Sequence, residues 1–122
     1  MALAITQSDI AGDGSVMLFT WNALDATNNV GNAIAFAQWA DRSVQMNGTF
    51  NAATVVWEGS NDGGTTFTTL TNPSGTAISH NAAAMDAVTE VCQLARPRSS
   101  GGGIAQSIIV AAVLRRANPM RT

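Results

Sequence analysis

Two neighbouring segments near the middle of the chain carry the strongest structural signal. Residues 43–50 alternate between polar and apolar side chains. Val44, Met46 and Phe50 share one face, and this period of two is typical of a strand with one buried side. Residues 54–60 are rich in β-branched and aromatic side chains, which also favour a strand. Trp57 is expected in the core beneath this second strand.

A turn follows these two segments directly. The sequence Ser60-Asn61-Asp62-Gly63-Gly64 contains the residue types that accept a positive φ, so it predicts a hairpin turn. A return strand is predicted over residues 65–71, with Phe67 as a core residue. Residues 72–75 (NPSG) predict a second turn.

Further strands are predicted from apolar or alternating segments elsewhere. They lie at residues 16–21, 76–79, 90–96 and 104–114. Residues 33–39 favour an extended segment, and a helical turn stays open there because alanine favours helix. Pro97 is expected to end the strand before it, because proline cannot donate a backbone hydrogen bond.

Residues 81–88 (NAAAMDAV) predict the one short helix, since Met85 and Val88 are spaced as neighbours on a helical face. With about seven or eight short strands, the whole pattern predicts an all-β, antiparallel β-sandwich. Its topology is either jelly-roll-like or immunoglobulin-like, with at most one short helix.

The length of 122 residues fits one domain. We predict a single sandwich over residues 1–122, with a flexible N-terminal arm at about 1–14 and a C-terminal tail at about 115–122. The hydrophobic fraction is 46%, much of it alanine, which fills little volume. A core this thin is expected to gain stability from oligomerisation or from docking on a larger surface.

Charge argues against a nucleic-acid partner. The net charge is −2, with six basic residues, all arginine, and no strongly basic patch. The arginines cluster towards one end, and the last third contains Arg96, Arg98, Arg115, Arg116 and Arg121. Two interpretations stay open: a solvated edge, or a docking patch for an acidic protein surface, since the guanidinium fork pairs carboxylates bidentately.

Catalytic and metal-binding motifs are missing from the sequence. The chain has one histidine, His80, and one cysteine, Cys92, with no third group signalled beside them. Cys92 is expected to be a buried, inert thiol. The sequence therefore predicts no enzymatic activity, no metal site and no cofactor.

Trp21 and Trp39 lie next to polar loops, which leaves their role open. They are expected in the core or at a subunit interface, where aromatic residues are enriched. The alternative is an exposed aromatic surface that stacks on sugar rings.

No targeting or membrane segment is predicted. The N-terminal sequence MALAITQSD lacks the basic and apolar regions of a signal peptide. The longest apolar run, residues 108–114, is too short to cross a bilayer. We therefore expect synthesis in a cytoplasm and no membrane partner.

Residues 41–103 carry a resemblance to a known group of proteins. The pattern DRSVQ, GTF, ATVVWEGSNDGG and then RPR followed by GG resembles small all-β virion structural proteins of tailed bacteriophages, of the capsid decoration (cement) type. The resemblance implies a protein at the capsid surface that binds and stabilises the major capsid protein shell and associates with itself as a homotrimer. A glycan-binding module of a tail or fibre is the alternative. The candidate interface residues are Arg96, Arg98, Arg115, Arg116, Trp21 and Trp39.

Overall fold

The computed structural model describes residues 2–116, which contain twelve β-strands and no helix. The strands are β1 (Ala2–Leu3), β2 (Thr6–Asp9), β3 (Val16–Leu24), β4 (Val30–Gly31), β5 (Ile34–Ala35), β6 (Trp39–Thr49), β7 (Thr54–Ser60), β8 (Thr68–Thr69), β9 (Ser79–His80), β10 (Ala84–Ala87), β11 (Leu94–Ser100) and β12 (Ser107–Arg116). Since this part of the chain has no helix, it has none able to cross a membrane.

The strands form two mostly antiparallel sheets that pack against each other, which confirms the predicted β-sandwich. The first sheet has the order β1-β4-β11-β7-β8, with β5 paired to β11 and β9 paired to β7. The second sheet has the order β10-β6-β12-β3-β2. Of the two segments with the strongest strand pattern, residues 43–49 belong to β6 of the second sheet and residues 54–60 form β7 of the first.

Alternate side chains of both sheets meet in one hydrophobic core. Its centre is aromatic: the Trp57 ring lies edge-on to Trp21 at 5.5 Å and to Phe36 at 5.9 Å between centroids. Edge-to-face pairs of this kind stabilise by about 0.5–1.5 kcal/mol beyond the area they bury. Trp57 is therefore a core residue, as predicted, and so are Val44 and Met46. The thin, alanine-rich composition is offset by these large rings.

Pro97 does not end a strand, contrary to the prediction; it lies inside β11, opposite Trp57 of β7. The backbone N–H and C=O of Trp57 bond to Ile78 and Leu70 on its other side. The Pro97 nitrogen therefore faces away from β7, towards the interruption between β4 and β5. No ladder hydrogen bond is lost there, so proline is tolerated.

The predicted helix at residues 81–88 is wrong. Residues 84–87 form the edge strand β10, paired antiparallel with residues 43–46 of β6. Helix propensity of alanine is a weak preference, and pairing with an exposed strand edge overrides it. The return strand after the hairpin turn is also shorter than predicted, at Thr68–Thr69, and Phe67 is half-buried rather than core.

The predicted N-terminal arm contains paired strands. β1 pairs in parallel with β4 of the first sheet, and β2 pairs antiparallel with β3 of the second. The loop after β2 is held by Asp9, whose carboxylate accepts from the N–H groups of Gly12 and Gly14. Of the predicted C-terminal tail, residues 115–116 belong to β12, and residues 117–122 lie outside the described residues.

Candidate protein-interaction surface

Strand β11 places two of the predicted arginines side by side on the outer face of the first sheet. Ala95, Pro97 and Ser99 alternate inward and are buried, so Arg96 and Arg98 point outward. Alternate residues of a strand are about 6.7 Å apart along the chain. The two guanidinium groups therefore start from neighbouring positions on one face.

Glu58 of β7 lies between these arginines and contacts both. The Nε of Arg96 donates to Glu58 Oε2 at 2.7 Å, and the Nε of Arg98 donates to Oε1 at 3.0 Å. The Glu58 side chain is only 3% exposed, against 27% and 39% for Arg96 and Arg98. A carboxylate this buried is stabilised by two charge-assisted hydrogen bonds, and it fixes both arginine side chains in return.

Phe67 supports one side of this cluster. The Arg96 guanidinium carbon lies 3.6 Å from the centroid of the Phe67 ring, a close cation–π contact. Phe67 reaches this position because the turn before it is well ordered: Asp62 Oδ1 accepts from the Thr66 N–H at 2.9 Å and from the Ser60 hydroxyl at 2.7 Å. These hydrogen bonds lower the pKa of Asp62, and the bond from the Thr66 N–H makes the largest contribution.

We call Arg96, Arg98, Glu58 and Phe67 the arginine face. It combines two positive charges with one negative charge. Within residues 2–116, each of the two guanidinium groups has a hydrogen-bond partner at Nε alone, and none of their terminal nitrogens is fully buried without a partner. The face is therefore a restrained, net positive surface with unused donors.

The other two predicted arginines lie elsewhere, at the end of β12 in the second sheet. Arg115 pairs with the exposed carboxylate of Asp41, with Nε 2.7 Å from Oδ2. The Arg116 guanidinium lies 4.9 Å from the Trp39 ring centroid, and its Nε donates to the Gly14 carbonyl at 3.3 Å. The four arginines thus form two separate groups, and only the first is built around a buried carboxylate.

Trp21 and Trp39 are not surface residues, which corrects their place among the candidate interface residues. Their exposures are 0% and 3%. Each indole N–H donates to a backbone carbonyl: Trp21 to Asn32, between β4 and β5, at 3.0 Å, and Trp39 to Ala35 of β5 at 3.1 Å. These carbonyls therefore satisfy the polar end of each ring while the rest of the ring is buried. The exposed aromatic platform that a sugar-binding site requires is not formed by these residues.

His80 and Cys92 occur in different places. The His80 Nε2 lies 2.5 Å from Asp86 Oδ2, a side-chain hydrogen bond that joins β9 of the first sheet to β10 of the second. Cys92 is buried, as predicted, and burial raises the pKa of its thiol. Among residues 2–116, no group of three or more His, Cys, Asp or Glu side chains is placed to hold a metal ion.

A cleft of about 450 Å³ lies beside Cys92 and also contacts Asp62 and Glu90. Both carboxylates already have partners within the chain. Glu90 accepts from the N–H of Thr71 at 2.8 Å and from its hydroxyl at 2.5 Å. The acidic groups of this cleft therefore serve to hold loops together.

Sequence reasoning did not identify Glu58 as part of this candidate surface. Its only signal is a single carboxylate within the apolar strand 54–60. The register that sets Glu58 beside Arg96 joins segments 38 residues apart. Local patterns do not encode such a pairing.

The outer face of the second sheet is a second open surface. Its central strands β3, β12 and β6 point Leu18, Val113 and Ser43 outward in one row and Thr20, Ala111 and Gln45 in the next. Along these three strands, the charged outward-facing residues are Asp41 and Arg115, which pair with each other at one end. We call this the neutral face.

Comparison with family models, with curated proteins and with solved structures finds no match for this chain.

Proposed function

We propose that this protein is a structural component of a tailed-bacteriophage virion, and specifically a capsid decoration protein that binds and stabilises the major capsid protein shell. The proposal assigns it no catalytic role. It starts from the resemblance carried by residues 41–103, and the surfaces of the sandwich support it. In this proposal the protein works at the capsid surface, associated with further copies of itself.

The neutral face is the observation that carries the proposal. Most protein surfaces contain many charged side chains, which interact favourably with water. The neutral face instead presents small, uncharged or apolar side chains. Met85 on the edge strand is 62% exposed and Val113 in the middle is 37% exposed. Burying such a face under another protein costs little desolvation of charge.

The size of the neutral face is also suitable. Five strands about 4.8 Å apart, with an average length of about 25 Å, cover roughly 600 Å². One side of a standard protein interface buries about 800 Å². The face thus lies at the lower end of the roughly 600–1,000 Å² per partner that specific, stable interfaces bury.

The test is the copy number of the protein in purified virions, measured by quantitative mass spectrometry against the major capsid protein. A ratio near one to one or one to two supports a shell decoration protein. A few copies per particle would contradict decoration and place the protein in the tail. Complete absence would overturn the virion proposal as a whole.

A pair of variants tests the neutral face itself. Val113→Asp introduces an unpaired charge at its centre and is expected to prevent incorporation into virions. Asn81→Asp adds the same charge on an exposed turn between the sheets and is the matched control. Thermal unfolding of both purified variants establishes that each is folded. Normal incorporation of folded Val113→Asp would show that the neutral face is not the contact surface.

The glycan-binding alternative gains no support. It required exposed tryptophan rings, and Trp21, Trp39 and Trp57 are all buried.

A further inference from the structure

The arginine face has donors that the chain itself does not use. Glu58 accepts a hydrogen bond from the Nε–H of both Arg96 and Arg98, so its carboxylate occupies that side of each guanidinium group. The outer edge of each group, formed by its two terminal nitrogens, stays available within the described residues. That edge is one of the geometries in which arginine binds a carboxylate through two parallel hydrogen bonds.

We propose that Arg96 and Arg98 together bind two carboxylates of an acidic, extended segment of a partner protein. The inference names the partner chemistry of the proposed structural role and in that sense rests on it. The spacing supports an extended segment: the arginines alternate along β11, and acidic residues at alternate positions of an extended chain have the same separation of about 6.7 Å. The partner sequence that we expect to be recognised is therefore two acidic residues separated by one residue of any type.

The two arginines are arranged before any partner binds. Ordering a long side chain costs about 0.5–1.5 kcal/mol on association. Here Glu58 holds both side chains, and the Phe67 ring holds Arg96 from the side. Part of that cost is already met in the free protein, which favours binding.

The charge distribution favours a protein partner over a nucleic acid. The arginine face has a net charge of about one positive unit, and the chain as a whole has a net charge of −2. Nucleic-acid binding requires many basic contacts along a backbone. Two arginines around a buried carboxylate fit two discrete carboxylates better than a continuous row of phosphates.

Fluorescence anisotropy with a labelled peptide tests the proposal. The peptide alternates Glu and Ser, and its control replaces every Glu by Gln. The full-length protein is expected to bind the Glu peptide and not the Gln peptide, with affinity that falls as salt rises. No difference between the two peptides would overturn the proposal.

Variants locate the binding site. Arg96→Gln with Arg98→Gln is expected to weaken binding by about tenfold or more, because both bidentate contacts are lost. Arg115→Gln removes an exposed arginine of the second sheet and is expected to change affinity by less than about twofold. An equal loss in both would show general charge attraction and overturn the proposal.

Removing the arginines leaves Glu58 buried without a partner, so the double variant is open to unfolding. A triple variant, which adds Glu58→Gln, avoids this and is expected to lose binding while remaining folded by circular dichroism. Arg96→Lys with Arg98→Lys is a further check, because it keeps the charge and removes the fork. Full binding by the folded triple variant or by the Lys variant would contradict the proposal that the two guanidinium groups bind the carboxylates.

A labelled single-stranded oligonucleotide provides the remaining comparison. Binding as tight as that of the Glu peptide, and lost in the same variants, would replace the acidic protein partner by a nucleic acid and overturn the proposal. The peptide assay needs no virion, so its result is separate from that of the copy-number measurement. Peptide binding by a protein absent from virions would reject the proposed function alone.

Discussion

Trp21 and Trp57 pack edge to face, with ring centroids 5.5 Å apart, but their indole N–H groups differ in one respect. Trp21 donates to the Asn32 carbonyl at 3.0 Å, whereas the buried Nε1 of Trp57 has no hydrogen-bond partner within residues 2–116. An unpaired buried N–H costs about 1–3 kcal/mol. Of these two rings in contact, Trp21 therefore has a satisfied N–H donor and Trp57 has an unsatisfied one.

Replacing each tryptophan by phenylalanine is expected to have unequal effects. Both changes remove similar volume from the core, but Trp21→Phe also loses a hydrogen bond and Trp57→Phe also removes an unsatisfied donor. We expect Trp57→Phe to be less destabilising by about 1–2 kcal/mol. Urea unfolding of both variants measures the difference, and equal losses would contradict it.

Gly31 of β4 is expected to tolerate no side chain. A Cβ there would lie 2.4 Å from Trp21 Cδ1 and 2.8 Å from Pro97 Cγ, both in the packed core. Gly31→Ala is therefore expected to lower the free energy of unfolding by about 3 kcal/mol. The control is Gly63→Ala, where the added Cβ meets open space and only the positive φ of 74° is unfavourable, at about 1 kcal/mol. Similar costs in the two variants, measured by thermal unfolding, would show that the Gly31 site can expand.

Glu90 is expected to make stability depend on acid pH. Desolvation acts to raise the pKa of this carboxyl, but the hydrogen bonds from Thr71 outweigh it, so the pKa is lowered from its usual 4.5. A lowered folded-state pKa stabilises the protein at pH above the unfolded value, and that stability is lost as pH falls through the folded value.

The variant Glu90→Gln isolates this contribution. At pH 7 it is expected to be less stable than the native protein by about 1 kcal/mol, allowing for the partial exposure of the site. The difference should shrink as the pH falls below the ordinary value of 4.5 and through the lowered pKa of the folded protein, where the native carboxyl gains its proton. Urea unfolding at several pH values measures it, and a difference independent of pH would exclude Glu90 as its source.

Cys92 is expected to resist alkylation while the protein is folded. Its thiol is buried and its pKa is raised, chiefly by desolvation, and the thiolate is the reactive form. Iodoacetamide at pH 8 should label the native protein at least about a hundredfold more slowly than the protein in urea. Because Cys92 is the one cysteine in the chain, whole-protein mass spectrometry follows it directly. Equal rates would show that the site opens freely.

The sequence predicted those parts of the fold that are set by local pattern. The alternation of residues 43–50 identified the inward face of β6, and residues 54–60 matched β7 at both ends. Residues 81–88 were assigned wrongly because their local preference is helical, whereas pairing with β6 is a tertiary contact. The prediction that Pro97 ends a strand was wrong for a similar reason, because whether a proline interrupts a sheet depends on which neighbouring strand its nitrogen faces.

The candidate surface was predictable only in part. Arg96 and Arg98 were identified from their position in the chain, and strand alternation places them on one face. The buried Glu58 between them depends on strand register, which the local sequence does not specify. Trp21 and Trp39 were expected either in the core or at a subunit interface, because their polar neighbours left both open; the rings are buried, and their indole N–H groups donate to the carbonyls of Asn32 and Ala35.

Strand β12 occupies the middle of the second sheet, between β6 and β3, and it is the last of that sheet's five strands along the chain. During synthesis on the ribosome, β3 and β6 therefore emerge with their facing edges open, and neither can pair with the strand that joins them. Unpaired edges of this kind are where nascent chains associate with one another. The order of the strands thus makes the period before β12 is made the time of greatest risk of aggregation, and a slower rate of synthesis would lengthen it.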